Sequence, residues 1–236
     1  MALCVPQARA AQVQGRVVLD GPSPPPEVVT IEPKTGVHST EGCGSLQKDS
    51  PKLRVGPDGG VRDAVVWLET EPQERAKQEA LRNSQAVSAP VMDQSECVFS
   101  PHVLAIPAGG PVALRNSDRV VHNVRIFREG KPDMLMHRWQ KVDAADIRWK
   151  FEEPGRYLVR CGVHPWMYGW VFVVPRGGAG AATDASGRFA LAEVPAGRHT
   201  LRIWHETLGE SQVEISVGAE GVELEPIHLS AAEKKE

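Results

Sequence analysis

The sequence lacks a surplus of either charge, and it lacks any long apolar run. Its 27 Lys and Arg residues nearly balance its 30 Asp and Glu residues, which gives a formal net charge of -3. A basic surface of the kind that binds nucleic acid is therefore not expected. No stretch approaches the roughly 18 consecutive apolar residues that a membrane-spanning helix requires. We expect neither a nucleic-acid partner nor a membrane span.

Helical periodicity is almost absent as well. Only residues 72–83, rich in Glu, Lys, Gln and Ala, predict a helix, which we place on the surface within a linker at 71–95. The rest of the chain alternates short runs of Val, Ile, Phe and Trp with turns that draw on 22 Gly and 19 Pro residues. Short strands separated by turn signals predict an all-β fold built from β-sandwiches.

Residues 1–10 differ from the sequence that follows them. Ala8, Arg9 and Ala10 have the small-x-small form of a signal-peptidase site, and a strand-like sequence begins directly after them. Because few apolar residues precede this site, we interpret 1–10 as a signal-peptide remnant whose beginning is missing. This interpretation predicts a periplasmic or otherwise exported protein. The alternative is an unstructured N-terminus with a chance match.

Four potential metal ligands occur in two places. Cys161, His164 and Met167 follow one another at intervals of three residues between two predicted strands, and His122 lies on a strand upstream. Two imidazoles, one thiolate and one thioether form the donor set of a blue-copper centre, in which Met is a long axial ligand. Zinc has little use for a thioether, so Met167 favours copper. We predict one copper ion that cycles between Cu(I) and Cu(II).

The segments that carry these ligands resemble the small cupredoxins, amicyanin first and plastocyanin next. The Cys-x₂-His-x₂-Met spacing from Cys161 to Met167 is similar, and so is the sequence of His122, Asn123 and Val124. The resemblance covers about residues 96–175, and it implies a Greek-key cupredoxin sandwich that holds type 1 copper. It also implies that Asn123 connects the two ligand segments through hydrogen bonds.

One departure from amicyanin concerns the residue before the loop histidine. Amicyanin has proline there, whereas this chain has Val163. Valine keeps a backbone N–H that proline lacks. We hypothesise that the Val163 N–H points toward the Cys161 sulfur, where a hydrogen bond would stabilise Cu(I) and raise the reduction potential.

The cysteine count predicts one disulfide. Of the four cysteines, Cys4 would leave with the signal peptide, and Cys161 has a role as a copper ligand. The remaining two, Cys43 and Cys97, form the expected pair in an oxidising compartment. The alternative is three reduced cysteines in a cytosolic chain.

Residues 128–147 are predicted to be irregular, and they contain three soft donors. Met134, Met136 and His137 are candidates for a second copper(I) site. The alternative interpretation is a loop that covers the sandwich.

Two aromatic residues flank the ligand loop. Trp166 and Trp170 form a candidate patch on which a redox partner would dock, and the alternative is simple packing against the sandwich. Two other histidines, His102 and His205, are interpreted as ordinary strand residues.

The C-terminal part of the chain resembles a carboxypeptidase regulatory-like, or transthyretin-like, β domain. The matching pieces include the turn at 183–189, the turn at 194–197 and the strand that ends at Trp204, His205 and Glu206. Such a domain usually begins with a Gly-Arg-Val strand and an Ala-Val-Val strand. Strands of this kind occur at Gly15–Leu19 and Ala64–Leu68, ahead of the predicted copper domain.

This arrangement predicts a split domain. Residues 11–70 and 176–230 would form one transthyretin-like sandwich, with the cupredoxin at 96–175 inserted into it. Some exported proteins of the methylamine-utilisation type resemble this layout. The alternative is a strand-rich N-terminal extension and a separate C-terminal domain, and the expected role of this part is binding or scaffolding.

The predicted function is one-electron transfer in the periplasm or an equivalent oxidising space. A single copper without an acid–base set does not suggest an enzyme, so the expected partner is a redox protein such as a cytochrome, a dehydrogenase or an oxidase. Two alternatives remain. The protein would buffer or deliver copper, or it would be an enzyme whose copper has an open position because Met167 is displaced.

Overall fold

The computed structural model describes residues 11–69 and 89–230. The predicted helix at 72–83 and the signal-peptide remnant at 1–10 lie outside these ranges. In the described residues the regular structure is nearly all β, which confirms the predicted fold class, and the helical part is a 3-10 turn at Gly36–His38. No helix within the described residues has the length and apolarity needed to cross a membrane.

The strands are short, and many alternate buried and exposed residues, as expected where one face of a sheet covers a core. In chain order they are β1 (Ala11–Leu19), β2 (Val28–Thr30), β3 (Gln47–Asp49), β4 (Val65–Glu69), β5 (Val91–Ser95), β6 (Val98–Ser100), β7 (Val103–Pro107), β8 (Gly110–Asn116), β9 (His122–Arg128), β10 (Met134–Gln140), β11 (Ile147–Phe151), β12 (Gly155–Arg160), β13 (Tyr168–Val174), β14 (Gly180–Ala182), β15 (Arg188–Val194), β16 (Gly197–His205), β17 (Gly209–Val217), β18 (Val222–Glu223) and β19 (Ile227–Leu229).

The described chain divides into two compact units. Unit 1 contains residues 11–22, 55–69 and 179–230, and unit 2 contains residues 23–54 and 89–178. The predicted transthyretin-like domain included residues 23–54, whereas the structure groups these residues with the unit that carries the predicted copper ligands. A disulfide between Cys43 and Cys97 joins the two segments of unit 2 covalently.

Unit 1 pairs strands from both ends of the chain. The N-terminal β1 pairs antiparallel with β15 and parallel with β18 and β19. Strand β4 lies between β14 and β16 in a second sheet that β17 completes. Buried apolar residues line these strands, among them Val13, Val17, Val65, Leu191 and Ile203.

Unit 2 contains two sheets that contribute to one apolar cluster. The five-stranded sheet has the order β10-β9-β12-β13-β7, and the four-stranded sheet has the order β11-β8-β5-β6. The cluster takes side chains from both sheets, including Met92, Leu114 and Phe151 from one and Ile126, Val159 and Val171 from the other. Unit 2 is therefore a sandwich with a shared core.

The strand pairing brings the predicted ligands to the same end of three neighbouring strands in the five-stranded sheet. Strands β12 and β13 are antiparallel neighbours, and Arg160 pairs with Tyr168 at the end where the 161–167 loop connects them. Strand β9 is antiparallel to β12 and pairs Arg125 with Arg160, so His122 at the start of β9 lies at the same end.

The stretch predicted to be irregular contains an edge strand, so that prediction was wrong for residues 134–140. Strand β10 pairs with β9, and its register shifts between Met134 and Met136. Met136 is buried, whereas Met134 and His137 are exposed. Pairing with β9, rather than a local sequence signal, imposes the extended conformation on residues 134–140.

Candidate metal centre

The four predicted ligands lie in a buried part of unit 2. His122 is 0% exposed, Cys161 2%, His164 1% and Met167 1%. The loop is closed by its own backbone, because the Met167 N–H donates to the His164 carbonyl at 3.0 Å and the Cys161 N–H donates to the Met167 carbonyl at 3.1 Å. These bonds hold the loop residues in a tight turn between β12 and β13.

Three donor atoms of this group converge. The Nδ1 atoms of His122 and His164 are 2.9 Å apart. The Sγ atom of Cys161 lies 3.7 Å from Nδ1 of His122 and 3.8 Å from Nδ1 of His164. A triangle of two ring nitrogens and one sulfur of this size is small enough for all three atoms to bind one ion.

The outer nitrogen of each imidazole has a partner that only accepts. Nε2 of His164 lies 3.1 Å from the carbonyl oxygen of Ser39. Nε2 of His122 lies 2.8 Å from Oδ2 of Asp118, and that carboxylate also accepts the backbone N–H groups of Glu96 and Cys97. Both Nε2 atoms must therefore carry the proton, and in the neutral rings both Nδ1 atoms present lone pairs to each other.

This arrangement fits a metal cation. Two lone pairs at 2.9 Å and a sulfur beside them repel one another unless a positive charge lies between them. Burial lowers the pKa of His122, but hydrogen bonds with Asp118 and Cys161 outweigh it and place that pKa above its ordinary value. The donor set suits copper, since imidazole binds both oxidation states and the thiolate stabilises Cu(I).

The Cys161 sulfur is poised to be a thiolate. Burial by itself would raise the pKa of this thiol. Hydrogen bonds from Nδ1 of His122 and His164, which exist where the ring is protonated at that nitrogen, together with the backbone N–H groups of Asn123 and His164, more than offset burial and lower the pKa to about 5. The thiolate is the form that binds metals.

Asn123 joins the two ligand-bearing segments. Its side-chain Oδ1 accepts the N–H of Gly162 at 2.5 Å, which connects the start of β9 to the loop after β12. The backbone N–H of Asn123 also donates a hydrogen bond to the Cys161 sulfur.

The carbonyl of Val163 accepts a hydrogen bond from Nδ1 of His38 at 3.1 Å. The hydrogen bond expected from the Val163 N–H to the sulfur stays a prediction.

The predicted disulfide is confirmed. Cys43 and Cys97 are bonded to each other, and Cys161 is a buried free cysteine. The two disulfide sulfurs and a ring nitrogen of His164 lie within 4.8 Å of one another. The disulfide therefore lies beside the His164 ring.

The other candidates have separate environments. Trp166 is half-buried, donates its Nε1–H to the Cys97 carbonyl at 3.0 Å, and has its ring centroid 5.1 Å from that of His164. Trp170 is half-buried on β13. Met136 packs in the core while His137 on the same strand is exposed, so the structure does not bring these two donors together. A docking role for the two tryptophans stays a prediction.

Sequence reasoning missed two groups that hold the histidines. Asp118 lies four residues before His122, and an acidic residue at that spacing was the available signal. Ser39 acts through its backbone carbonyl. Every residue has such a carbonyl, so no sequence pattern could have indicated it.

No protein-family model matches the chain, and no curated protein sequence matches it either. Among solved structures, amicyanin from Paracoccus versutus is 28% identical, with 39% of this chain and 87% of that chain covered and a TM-score of 0.34. A purple cupredoxin from Nitrosopumilus maritimus is 28% identical, with 36% and 99% covered and a TM-score of 0.33. A copper-containing nitrite reductase from Thermus scotoductus SA-01 is 24% identical, with 38% and 23% covered and a TM-score of 0.34.

Proposed function

We propose that unit 2 binds one copper ion through His122, Cys161 and His164, with Met167 as a weak axial ligand, and carries single electrons outside the cytoplasm. Copper bound in this donor set supplies a one-electron couple between Cu(I) and Cu(II). The observation that supports the proposal most strongly is the convergence of two Nδ1 atoms and one sulfur, with both Nε2 atoms already hydrogen-bonded.

The hydrogen bonds around the site favour an electron carrier because they keep the donors still. Neither imidazole can rotate without losing its bond to Asp118 or Ser39. The same donor positions then serve both oxidation states, and little nuclear rearrangement accompanies the gain or loss of an electron. The Cys161 backbone is likewise held by the closed loop.

Burial favours electron transfer over catalysis at an open metal position. The four side chains are at most 2% exposed, and a substrate would have to displace protein atoms to reach the donor triangle. An enzyme needs one coordination position that a small molecule can enter. In the proposed function we therefore assign no acid, base or nucleophile to this unit.

The disulfide supports an exported location, because disulfides persist in oxidising compartments. We propose a periplasmic or otherwise exported protein whose partner is another redox protein. Copper buffering or delivery would require ready exchange of the ion, which the burial of all four side chains disfavours.

The visible spectrum after addition of Cu(II) to the purified protein tests this function. An intense band near about 600 nm is expected, and it should be lost in Cys161→Ala, because it arises from the thiolate–copper bond. His122→Ala should also lose it, while His137→Ala is a matched control on an exposed strand residue and should keep it. Bound copper with only a weak band, and with ready binding of azide, would overturn the proposal in favour of an open site.

A further inference from the structure

Residues 34–43, which we call the covering segment, lie against the ligand loop. His38 donates from Nδ1 to the Val163 carbonyl at 3.1 Å. The next residue, Ser39, accepts from Nε2 of His164 at 3.1 Å. The outer edge of a proposed copper ligand is thus in contact with the backbone of a segment 125 residues away in sequence.

The covering segment sets the direction of the Ser39 carbonyl by its own hydrogen bonds. The Lys34 N–H donates to Oγ1 of Thr40 at 3.0 Å, and the Thr40 N–H donates back to the Lys34 carbonyl at 3.1 Å. The Ser39 N–H donates to the Gly36 carbonyl, and the Cys43 N–H donates to the Thr40 carbonyl, both at 3.0 Å. The segment is a closed turn rather than an open loop.

The disulfide connects the covering segment to Cys97, which is hydrogen-bonded to Asp118, the partner of His122. Cys43 ends the covering segment and is bonded to Cys97. The Cys97 N–H donates to Oδ2 of Asp118, the same oxygen that accepts from His122. The disulfide therefore joins the segment that contains Ser39 to Cys97, whose N–H donates to the carboxylate that contacts His122.

Gly42 allows the covering segment to lie close to the sandwich. A Cβ atom placed on Gly42 would lie 2.9 Å from Cγ1 of Val120 and 3.4 Å from the carbonyl carbon of Arg119. Any side chain at this position must push the segment or Val120 outward. Val120 is itself nearly buried in the core cluster.

We propose that the covering segment is part of the copper centre: the Ser39 carbonyl holds His164 with Nδ1 toward the metal, and the disulfide keeps the segment closed so that copper leaves slowly. This inference rests on the proposed copper-binding function. Ser39 acts as a positioning residue, because it touches a ligand and not the metal. Partners of metal-binding imidazoles contribute about 10- to 100-fold to metal affinity, and we expect an effect in this range.

The test uses a cycle of variants at the contact between the segment and the sandwich. Gly42→Ala should increase the rate at which Cu(I) passes from the protein to bicinchoninate by about tenfold. Val120→Ala removes the Cγ1 atom in question, so the double variant should transfer copper within about twofold of Val120→Ala alone. Glu41→Gln, an exposed change in the same segment, is the matched control and should transfer copper like the unmodified chain.

A second measurement distinguishes a specific loss of the His164 hydrogen bond from a general loosening of unit 2. The Nε2–H of His164 should appear in ¹H–¹⁵N NMR spectra of the Cu(I) protein as a ring proton protected from solvent exchange. Gly42→Ala should accelerate that exchange, while the exchange of the Nε2–H of His122, held by Asp118, should change less. Equal protection of the His164 proton in both proteins would overturn the proposal.

The disulfide is tested by the double variant Cys43→Ser, Cys97→Ser, which should release copper at least about tenfold faster while retaining the blue band. A rate equal to that of the unmodified protein, in a variant that still shows the band, would overturn the role of the disulfide. If this variant does not fold, the copper-transfer rates of Gly42→Ala, Val120→Ala and their double variant test whether the covering segment slows copper release. Absence of the band in the unmodified protein would instead contradict the copper function itself.

Discussion

Nδ1 of His122 and Nδ1 of His164 face each other at 2.9 Å, although 42 residues separate them in the chain. The Nε2 atom of each ring is hydrogen-bonded, that of His122 to the Asp118 carboxylate and that of His164 to the Ser39 carbonyl. Because those partners only accept hydrogen bonds, the two facing nitrogens have no protons of their own in the neutral rings. The close approach of two lone pairs is the feature on which the proposed copper site rests.

The metal-free protein should show an unusually acidic thiol. The pKa of Cys161 is lowered to about 5, because hydrogen bonds from the two histidine rings, when they are protonated at Nδ1, and from backbone N–H groups outweigh burial. The folded chain then binds fewer protons than the unfolded chain from about pH 5 up to the ordinary thiol pKa near about 8.5, so stability rises with pH across that window. This contribution is complete above the ordinary pKa and is lost as the pH falls through about 5.

Ultraviolet absorption of the thiolate in the metal-free protein measures this titration. Cys161→Ser is the control and should show no corresponding step, since the other cysteines of the described residues are in the disulfide. A step at about 8.5 that is lost in Cys161→Ser would contradict the prediction.

Asp118→Asn should weaken both folding and copper binding. The carboxylate accepts from Glu96, Cys97 and His122, and an amide has only one acceptor oxygen for these three donors. We expect a loss of about 1–3 kcal/mol in the unfolding free energy of the metal-free protein. Copper affinity should fall by about 10- to 100-fold, since the ring of His122 loses its orienting partner.

Denaturant titration and competition with a copper chelator measure the two effects. Asp146→Asn is a matched control, because Asp146 pairs with Arg115 at the surface of the same unit. Equal copper affinities for both variants would show that Asp118 has no orienting role.

Val163→Pro should lower the reduction potential. If the Val163 N–H donates to the Cys161 sulfur, proline removes that bond and destabilises Cu(I). A tenfold change in the balance of the two oxidation states corresponds to about 59 mV for a one-electron couple. Voltammetry measures the reduction potentials of Val163→Pro and Val163→Ala. Only the proline variant should show a lower potential, since alanine keeps the backbone N–H. A potential that is unchanged in the proline variant would remove this hydrogen bond from consideration.

Gly187→Ala should destabilise unit 1 and leave the blue band intact. Gly187 has φ of +78°, and a Cβ atom there would lie 2.3 Å from the Val17 carbonyl oxygen. Gly59 has φ of +79° with nothing within 4 Å of such an atom, so Gly59→Ala isolates the cost of the backbone conformation. That cost is about 1–3 kcal/mol, and the clash at Gly187 should add at least about 1 kcal/mol more.

Denaturant unfolding of the two variants gives this difference directly. The copper band should survive in both, because the proposed donors lie in unit 2. Loss of the band in Gly187→Ala under native conditions would mean that the site depends on unit 1.

The β-strands could be predicted, and the proposed donor residues could be chosen, because their signals are local. Alternating apolar residues and turn residues indicate strands within a few positions, and the spacing of Cys161, His164 and Met167 specifies a set of donors whatever the surrounding fold. The strand β10 could not be predicted in this way. Its extended conformation depends on pairing with β9, and its register shift between Met134 and Met136 is set by that neighbour.

The sequence by itself determined the donor set on which the proposed copper chemistry rests, because the imidazole, thiolate and thioether groups that bind copper are visible as residue types in the chain. The tertiary structure alone decided which atoms of the two histidines face inward. That choice depends on Asp118 and on the carbonyl of Ser39, and a carbonyl has no sequence signature. It also decided that residues 23–54 belong to unit 2, since a disulfide and backbone hydrogen bonds between distant segments arise only when the chain has folded.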